Sequence, residues 1–480
     1  MTSAGDGEEM LMAIDNVIAT NRFGLGARPG ELEQVAGDPK GWLAQQIKGT
    51  RPSPPEIGTL PNSAAVFRVY EESRQQQQQA KREAAAADPE EAKKKFMAVR
   101  KAVAPIYLDQ VAARYEIAVK STESFRERLV HFWTNHFAVS ADKPQVAALA
   151  GTLENEAIRP HLAGSFTDLL LAVEAHPAMI LYLDNQASIG TDSKAAKRFE
   201  HRANTEGRKL GINENLAREI LELHTLGVNG GYTQADVTSF ARVLTGWSIG
   251  NDRGPMAAGD TGKFFFRDNA HEPGAQTVLG KRYAEDGEGQ ARAVLRDLAK
   301  HPATATHIAT KLVRHFIGDD PPPDAVTRIA KVFRDSSGQL TEVHQAVIDL
   351  APAWRPEFAK YKTPHEFILS TLRSVDLVPP KPQQVFASFQ LLGQRPFTPG
   401  SPAGWPDTAA QWDGPDALLK RIEWATQFGE RIGAKVKPLE VAAAALGQSL
   451  SERTRTAISR AASAAQGVTL LLASPEFMRR

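Results

Sequence analysis

Apolar residues return every three or four positions along most of this chain, the spacing that gathers them on one face of a helix. In TESFRERLVHFWTNHF (Thr122–Phe137), Leu129, Val130, Trp133 and Phe137 share one face at about 100° per residue, while Glu127, Arg128, His131 and Asn135 share the opposite one. His136 falls beside the apolar face. The same period predicts helices over roughly Lys143–Ile158, Ser165–His176, Asn213–Thr225, Thr233–Thr245, His301–Ile317, Pro323–Phe333, Gln339–Leu350 and Thr363–Val375, with two or three more closing the chain. From Ser63 to Ser121 the pattern is helical and heavily charged, which suits a solvated helical hairpin projecting from the body. Asp88 before Pro89 is the natural cap of its second arm, and no chemistry is assigned to it. Between Lys263 and Tyr283 the period changes: FFFRDNAH and QTVLGKRY, separated by Pro273 and Gly274, read as a β-hairpin or small sheet.

The expected fold is therefore mainly α, a large multi-helix, bundle-like body with a small β insertion and a projecting helical hairpin. Its parts are an N-terminal helical segment (1–62), the hairpin (63–121), a central helical core (122–262), the β insertion (263–283) and a C-terminal helical region (284–480), expected to form one continuous domain. A long Pro/Gly-rich loop, Gly393–Asp407, exceeds a simple connector. Gly24 and Gly26 form a lone G-x-G with no strand before it, which favours a tight turn over a phosphate loop.

Composition narrows the partners. Lys plus Arg number 57 against 56 Asp plus Glu, so the chain lacks the net positive field of a nucleic-acid binder. It holds no cysteine, which removes disulfides, thiolate nucleophiles and Cys-type metal sites. Asp6, Glu8 and Glu9 stand where a signal peptide carries positive charge, so the chain as written reads as cytoplasmic. No stretch approaches the ~20 apolar residues of a membrane span.

The densest polar chemistry lies in NENLAREILELHTLGVNGGYTQADVTSFARVLTGW, Asn213–Trp247. Leu216, Ile220 and Leu223 form an apolar stripe with His224 near it; Asn215, Arg218, Glu219 and Glu222 occupy the opposite arc. Two neighbouring carboxylates can be driven apart in pKa so that one donates and the other accepts a proton. Glu219, Glu222, His224 and His136 are the catalytic candidates. Asn135, Asn213, Asn215, Arg218, Tyr232, Arg242, Trp247 and His271 are the substrate-binding candidates, with Arg218 and Arg242 suited to an anionic group. A solvated face with an Arg218–Glu222 ion pair explains the same spacing. Glu219, Glu222 and His224 with His131 or His136 also offer oxygen and nitrogen ligands to a divalent metal, at a spacing that is not diagnostic; no cofactor is otherwise implied. His307, Lys311 and Arg314 share a helical face that suits an anionic ligand or plain surface, and Trp405 between Gly404 and Pro406 suits a stacking platform or a buried anchor.

RFGLGARPGE (Arg22–Glu31), HFWTNHFAVS (His131–Ser140), the Asn213–Trp247 block, HEPG, HPATATHIATKLVRHF and SPAGWP together resemble the bacterial "domain of unknown function 1800" family over nearly the whole chain. The resemblance implies a mostly helical bacterial protein with no assigned activity, and an envelope or periplasmic location for many relatives. Three functions remain open: an acid–base hydrolase or lyase acting on a polar carbohydrate, anionic ones included; a non-catalytic helical scaffold that binds a protein or polymer; and a divalent-metal-dependent enzyme.

Overall fold

The computed structural model describes residues 14–83, 89–200, 211–252, 258–379 and 381–480; the expected Asp88 cap and the three leader acids lie outside them. The helices of eight residues or more are α1 (Pro39–Gln46), α2 (Ser63–Glu83), α3 (Pro89–Lys120), α4 (Ser124–His136), α5 (Phe166–Glu174), α6 (Asn215–Glu219, running on as a π turn, Ile220–His224) and α7 (Gln234–Val243). After the strands come α8 (Glu288–Lys300), α9 (Pro302–Phe316), α10 (Pro323–Asp335), α11 (Leu340–Ile348), α12 (Pro364–Ser374), α13 (Pro382–Leu391), α14 (Pro415–Ile432), α15 (Pro438–Leu446), α16 (Glu452–Ser459) and α17 (Ala464–Leu472). The fold is thus a mainly helical bundle with a projecting helical hairpin, α2 against α3, and a small β insertion.

The strands depart from the expected hairpin. Phe264–Phe266 (β2) pairs antiparallel with Trp247–Ile249 (β1), and Gln276–Val278 (β3) pairs with Lys281–Tyr283 (β4). The two apolar runs therefore never pair with each other. Leu279 and Gly280, both at positive φ, close β3 onto β4 as a two-residue turn. Trp247, expected at a helix end, starts β1 and is fully buried. The expected helix near Lys143–Ile158 is broken into Pro144–Ala147, Ala150–Thr152 and a π turn, Leu153–Ile158.

One buried apolar cluster extends from Ile18 to Met478. α9 shows how it is built. Pro302 sits at the first turn, the His301 ring accepts the Ala303 N–H, and Ala305, Ile308, Ala309, Leu312, Val313 and Phe316 turn inward. That leaves Lys311, Arg314 and His315 on the other side. The rings of Phe23, Phe125 and Phe316 meet at 5.7 Å and lock the N-terminal segment, α4 and α9 together.

The C-terminus of α3 is capped by a distant guanidinium. Arg373 on α12, fully buried, donates to the carbonyls of Ala118, Val119 and Ser121 at 2.8–3.0 Å, to Gly26 O at 2.7 Å, and bidentately to Glu31 at 2.9 and 3.0 Å. Gly26 permits this approach: its φ is +103°, and a Cβ would lie 2.7 Å from Ser370 Cβ. The glycine pair near the N-terminus is therefore a close-packing turn. Replacing Arg373 with Leu strands Glu31 and three helix-end carbonyls, so it is expected to cost on the order of 3–5 kcal/mol, with Arg373→Lys recovering only part. Urea unfolding of the two variants measures this; equal midpoints for wild type and Arg373→Leu contradict the cap.

Candidate functional site

α4, α9, α12 and the Gln394–Thr408 loop enclose a cavity of about 480 Å³. Its wall carries five cationic side chains, Arg114, Arg128, Lys311, Arg314 and Arg395, against two carboxylates, Glu366 and Asp407, beside apolar faces from Phe132, Phe397 and Trp405. One of these cations, Arg128, and both carboxylates belong to a buried ionic frame with Arg480 and Lys360. Arg128 and Arg480 both pair with Glu366 Oε1, Arg480 at 2.6 Å, and the Thr363 N–H donates to Glu366 Oε2 at 2.9 Å. Burial works to raise the Glu366 pKa, but the two guanidiniums outweigh it and hold the carboxyl well below its ordinary range. His315 Nδ1 donates to Asp407 Oδ2 at 3.0 Å, and Lys360 reaches Asp407 Oδ1 at 3.2 Å and Asp319 at 2.7 Å. Burial raises the Asp407 pKa and these partners bring it down to about 2. Arg114 is held by Glu154 at 2.7 Å, an acceptor that the Leu153–Ile158 π turn also presents to Thr134.

The loop is clamped, not free. Asn135 pairs with Trp405 both ways: Oδ1 accepts the Trp405 N–H at 2.7 Å, and Nδ2 donates to the Trp405 carbonyl at 2.9 Å. Gly404, at φ +83°, allows it; a Cβ there would sit 2.3 Å from Asn135 O. Tyr107 fixes Pro396 O at 2.6 Å, and Gln394 accepts the His365 N–H at 2.8 Å. Phe397 holds a left-handed backbone at φ 52° beneath the Arg114 guanidinium, 4.8 Å from the ring centroid.

Two histidines on the cavity wall belong to a hydrogen-bonded chain. Tyr115 OH meets His365 Nδ1 at 2.9 Å, and His365 Nε2 meets His131 Nδ1 at 3.1 Å. His131 Nε2 is buried without a partner. Burial pushes both imidazoles well below the ordinary value, with Arg114 acting in the same direction, so both are neutral. A neutral chain of this kind has two polarities. In one, Tyr115 donates inward and His131 Nε2 carries a hydrogen; in the other, every bond is reversed and Nε2 presents a lone pair. His136 has a single tautomer: Nε2 faces the His224 carbonyl at 3.2 Å and must donate, which leaves a lone pair on the buried, unpartnered Nδ1. Its pKa lies well below normal through burial and the field of Lys311.

Of the expected site residues, Asn135 and His136 line this cavity; Glu219, Glu222 and Arg218 do not. Arg218 pairs with Glu214 at 3.1 Å in place of Glu222, and Gln234 and Thr238 complete that surface cluster. Glu222 accepts the Tyr232 hydroxyl at 3.1 Å. Glu219 is half-buried, and its pKa is raised by burial, opposed by His224 and reinforced by Glu222. Among the described residues no hydrogen bond or ion pair joins Arg242 to Glu222 or His224. His224 is fully buried on Glu174, Nδ1 to Oε1 at 2.8 Å. Asn213 ties the start of α6 to the carbonyls of Leu183 and Asp184 at 3.1 and 3.2 Å, and Asn215 is exposed. His271 Nδ1 donates to the Thr245 carbonyl at 2.9 Å, outside the cavity lining. The block touches the cavity from behind: the π turn frees the carbonyls of Leu223 and His224, which His307, at 3.0 Å, and His136 engage. Among the described residues no three His, Asp or Glu side chains are placed to hold a metal ion, so the set Glu219, Glu222 and His224 with His131 or His136 does not assemble.

Sequence reasoning missed Tyr115, Arg114, His365, Glu366 and Asp407. Arg114 and Tyr115 belong to the hairpin that was given no chemistry. The T-P-H-E start of α12 reads as a capping box, and Thr363 and Glu366 do form one; nothing local marks Glu366 as the partner of two distant arginines.

Fold and cavity together define a helical protein enclosing a cation-rich hollow, and the comparisons place it further. The family described as "Protein of unknown function (DUF1800)" matches residues 18–479, and the chain belongs to that family. Neither the curated proteins nor the solved structures contain a match to it. Among the described residues no helix is long and apolar enough to cross a membrane.

The buried histidines make stability fall in acid. Burial brings His307 and His315 to about 4 and His344 to about 3, against 6.5 when free. Between those values the unfolded chain takes up protons that the native state refuses. The part of the stability that these histidines contribute is therefore complete above pH 6.5 and declines as pH falls toward 4, each adding up to about 1.4 kcal/mol per pH unit. Urea midpoints should fall steeply across that window, and His344→Phe should flatten the slope; a constant midpoint contradicts it.

Proposed function

We propose that the chain is an acid–base enzyme, a hydrolase or lyase acting on a polar, anionic carbohydrate, and that the α4–α9–α12 cavity is its active site. The observation that carries this reading is the Tyr115–His365–His131 chain ending on an unpartnered nitrogen at the cavity wall. His136 Nδ1 is the base, with its lone pair fixed by the His224 carbonyl. His131 is the group that gives or takes the second proton, since the Tyr115–His365–His131 bonds hold in either polarity and the Nε2 end has no protein partner. The wall's excess of cations supports an anionic substrate, and the half-buried Trp405 beside them supports a ring-shaped one. Burial makes both imidazoles weak bases in the empty site, and a negative ligand would raise their proton affinity.

A second reading rests on Glu219: its raised pKa beside Glu222 suits a general acid outside the cavity. One screen separates the two. Wild type, His131→Gln and Glu222→Gln are assayed for hydrolysis and elimination on acidic and neutral oligosaccharides. Turnover by wild type should fall by about 10²–10⁴-fold in His131→Gln and much less in Glu222→Gln. The reverse order moves the chemistry to the carboxylate pair, and turnover equal in all three rejects both sites.

A further inference from the structure

Most cations on the cavity wall already hold a carboxylate: Arg128 holds Glu366, Arg114 holds Glu154, and Arg395 reaches Asp142 at 2.8 Å. Lys311 and Arg314 differ. Lys311 makes no hydrogen bond or ion pair with any described residue, and the Arg314 guanidinium makes one long contact, Nε to the Asp319 carbonyl at 3.4 Å. They stand three residues apart on α9, on the same side of the helix, and both line the hollow. Asp407, the carboxylate whose field acts on Lys311, is committed to His315 and Lys360. Lys311 is half-buried at the cavity wall, and burial, with Arg314 adding to it against Asp407, draws its pKa down to about 8. An unneutralised ammonium and guanidinium in such a setting are costly unless a ligand's charge offsets them.

We propose that Lys311 and Arg314 form the binding site for an oxyanion group, a carboxylate, sulfate or phosphate carried by the hydroxylated ligand of the cavity. The guanidinium offers paired N–H donors to two oxygens, and the ammonium adds a compact charge to the same group. The position also couples binding to chemistry. Lys311 is among the charges that depress His136, so an oxyanion seated on Lys311 cancels that field and leaves His136 Nδ1 a stronger acceptor for a neighbouring ligand hydroxyl. Other candidates carry less. In the cleft at Arg51, Arg126 and Arg159, Arg51 and Arg159 are paired with Glu123 and Glu127, and Arg126 donates to the Gln46 carbonyl. The exposed Leu418, Leu419 and Ile422 face has nothing beside it that specifies a partner.

This inference depends on the active-site reading for the cavity's purpose, but its test does not need turnover. Binding of inorganic sulfate and of inorganic phosphate is measured by calorimetry, against chloride at matched ionic strength, for wild type, Lys311→Met, Arg314→Gln and Lys311→Arg. Wild type should bind at least one of the two saturably, with affinity lowered about tenfold or more in Lys311→Met and in Arg314→Gln and largely kept in Lys311→Arg. Absence of saturable binding by wild type overturns the proposal, as does wild-type affinity in the two charge-removing variants. Circular dichroism checks each variant's fold, and if Lys311→Met does not fold, Arg314→Gln decides alone. Sulfate binding that survives while every substrate fails sinks the acid–base reading only; turnover without anion binding sinks this one only.

Discussion

A single buried carboxylate ties together the segments that surround the cavity. Glu366 starts α12, Arg128 comes from the middle of α4, and Arg480 arrives with the segment that pairs with Lys360–Lys362. None of these side chains is tolerable inside the protein by itself, since a lone buried charge costs several kcal/mol. They are stable only as a set, so the three segments must arrive together. The Arg128 guanidinium then extends the set: its Nε donates to Gly24 O at 2.6 Å and its Nη1 faces His315 Nε2 at 3.5 Å. Through His315 and Asp407 the frame reaches the Gln394–Thr408 loop, and the cavity takes its shape from these ties.

The frame explains why the hollow is polar without being wet on all sides. Charges that neutralise one another can line it at moderate cost, and the groups left over are the ones available for a ligand. Neutral histidines fill the remaining polar positions because burial strips their protons. Each then needs a specific tautomer or a reversible chain, and the π turns supply the matching acceptors by exposing carbonyls that a regular helix would consume. Local irregularity and site chemistry are thus the same feature seen at two scales.

Much of the helical layout was legible in the residues. Ser124–His136, Pro302–Phe316 and Pro364–Ser374 announce themselves by apolar period, by Pro at the first turn and by capping residues. Trp405 and the Asn135–His136 edge were legible as candidates, and the Lys311–Arg314 face was visible as a stripe of charge whose environment the stripe could not reveal. The densest polar block, Asn213–Trp247, misled in emphasis. Its Asn213, Thr233 and Asp236 are helix-start chemistry, and its Arg218 turns to Glu214 because four residues toward the N-terminus lies as close as four toward the C-terminus. Density of polar residues measures how many backbone ends need partners as much as it measures chemistry.

The sequence alone determined the helical class, the apolar faces, the caps and the residue types available for proton and anion handling, because all of these follow from spacings within a turn or two of helix. Tertiary structure alone decided which charges cancel and which remain. Glu366 meets Arg128 across 238 positions and His365 meets His131 across 234, and no local period carries information over such separations. The strand pairing was decided the same way: Phe264–Phe266 chose Trp247–Ile249 over the nearer Gln276–Val278. Pairing of strands and neutralisation of buried charge are both settled by what the packed core brings within a few ångströms, a quantity the chain acquires only on folding.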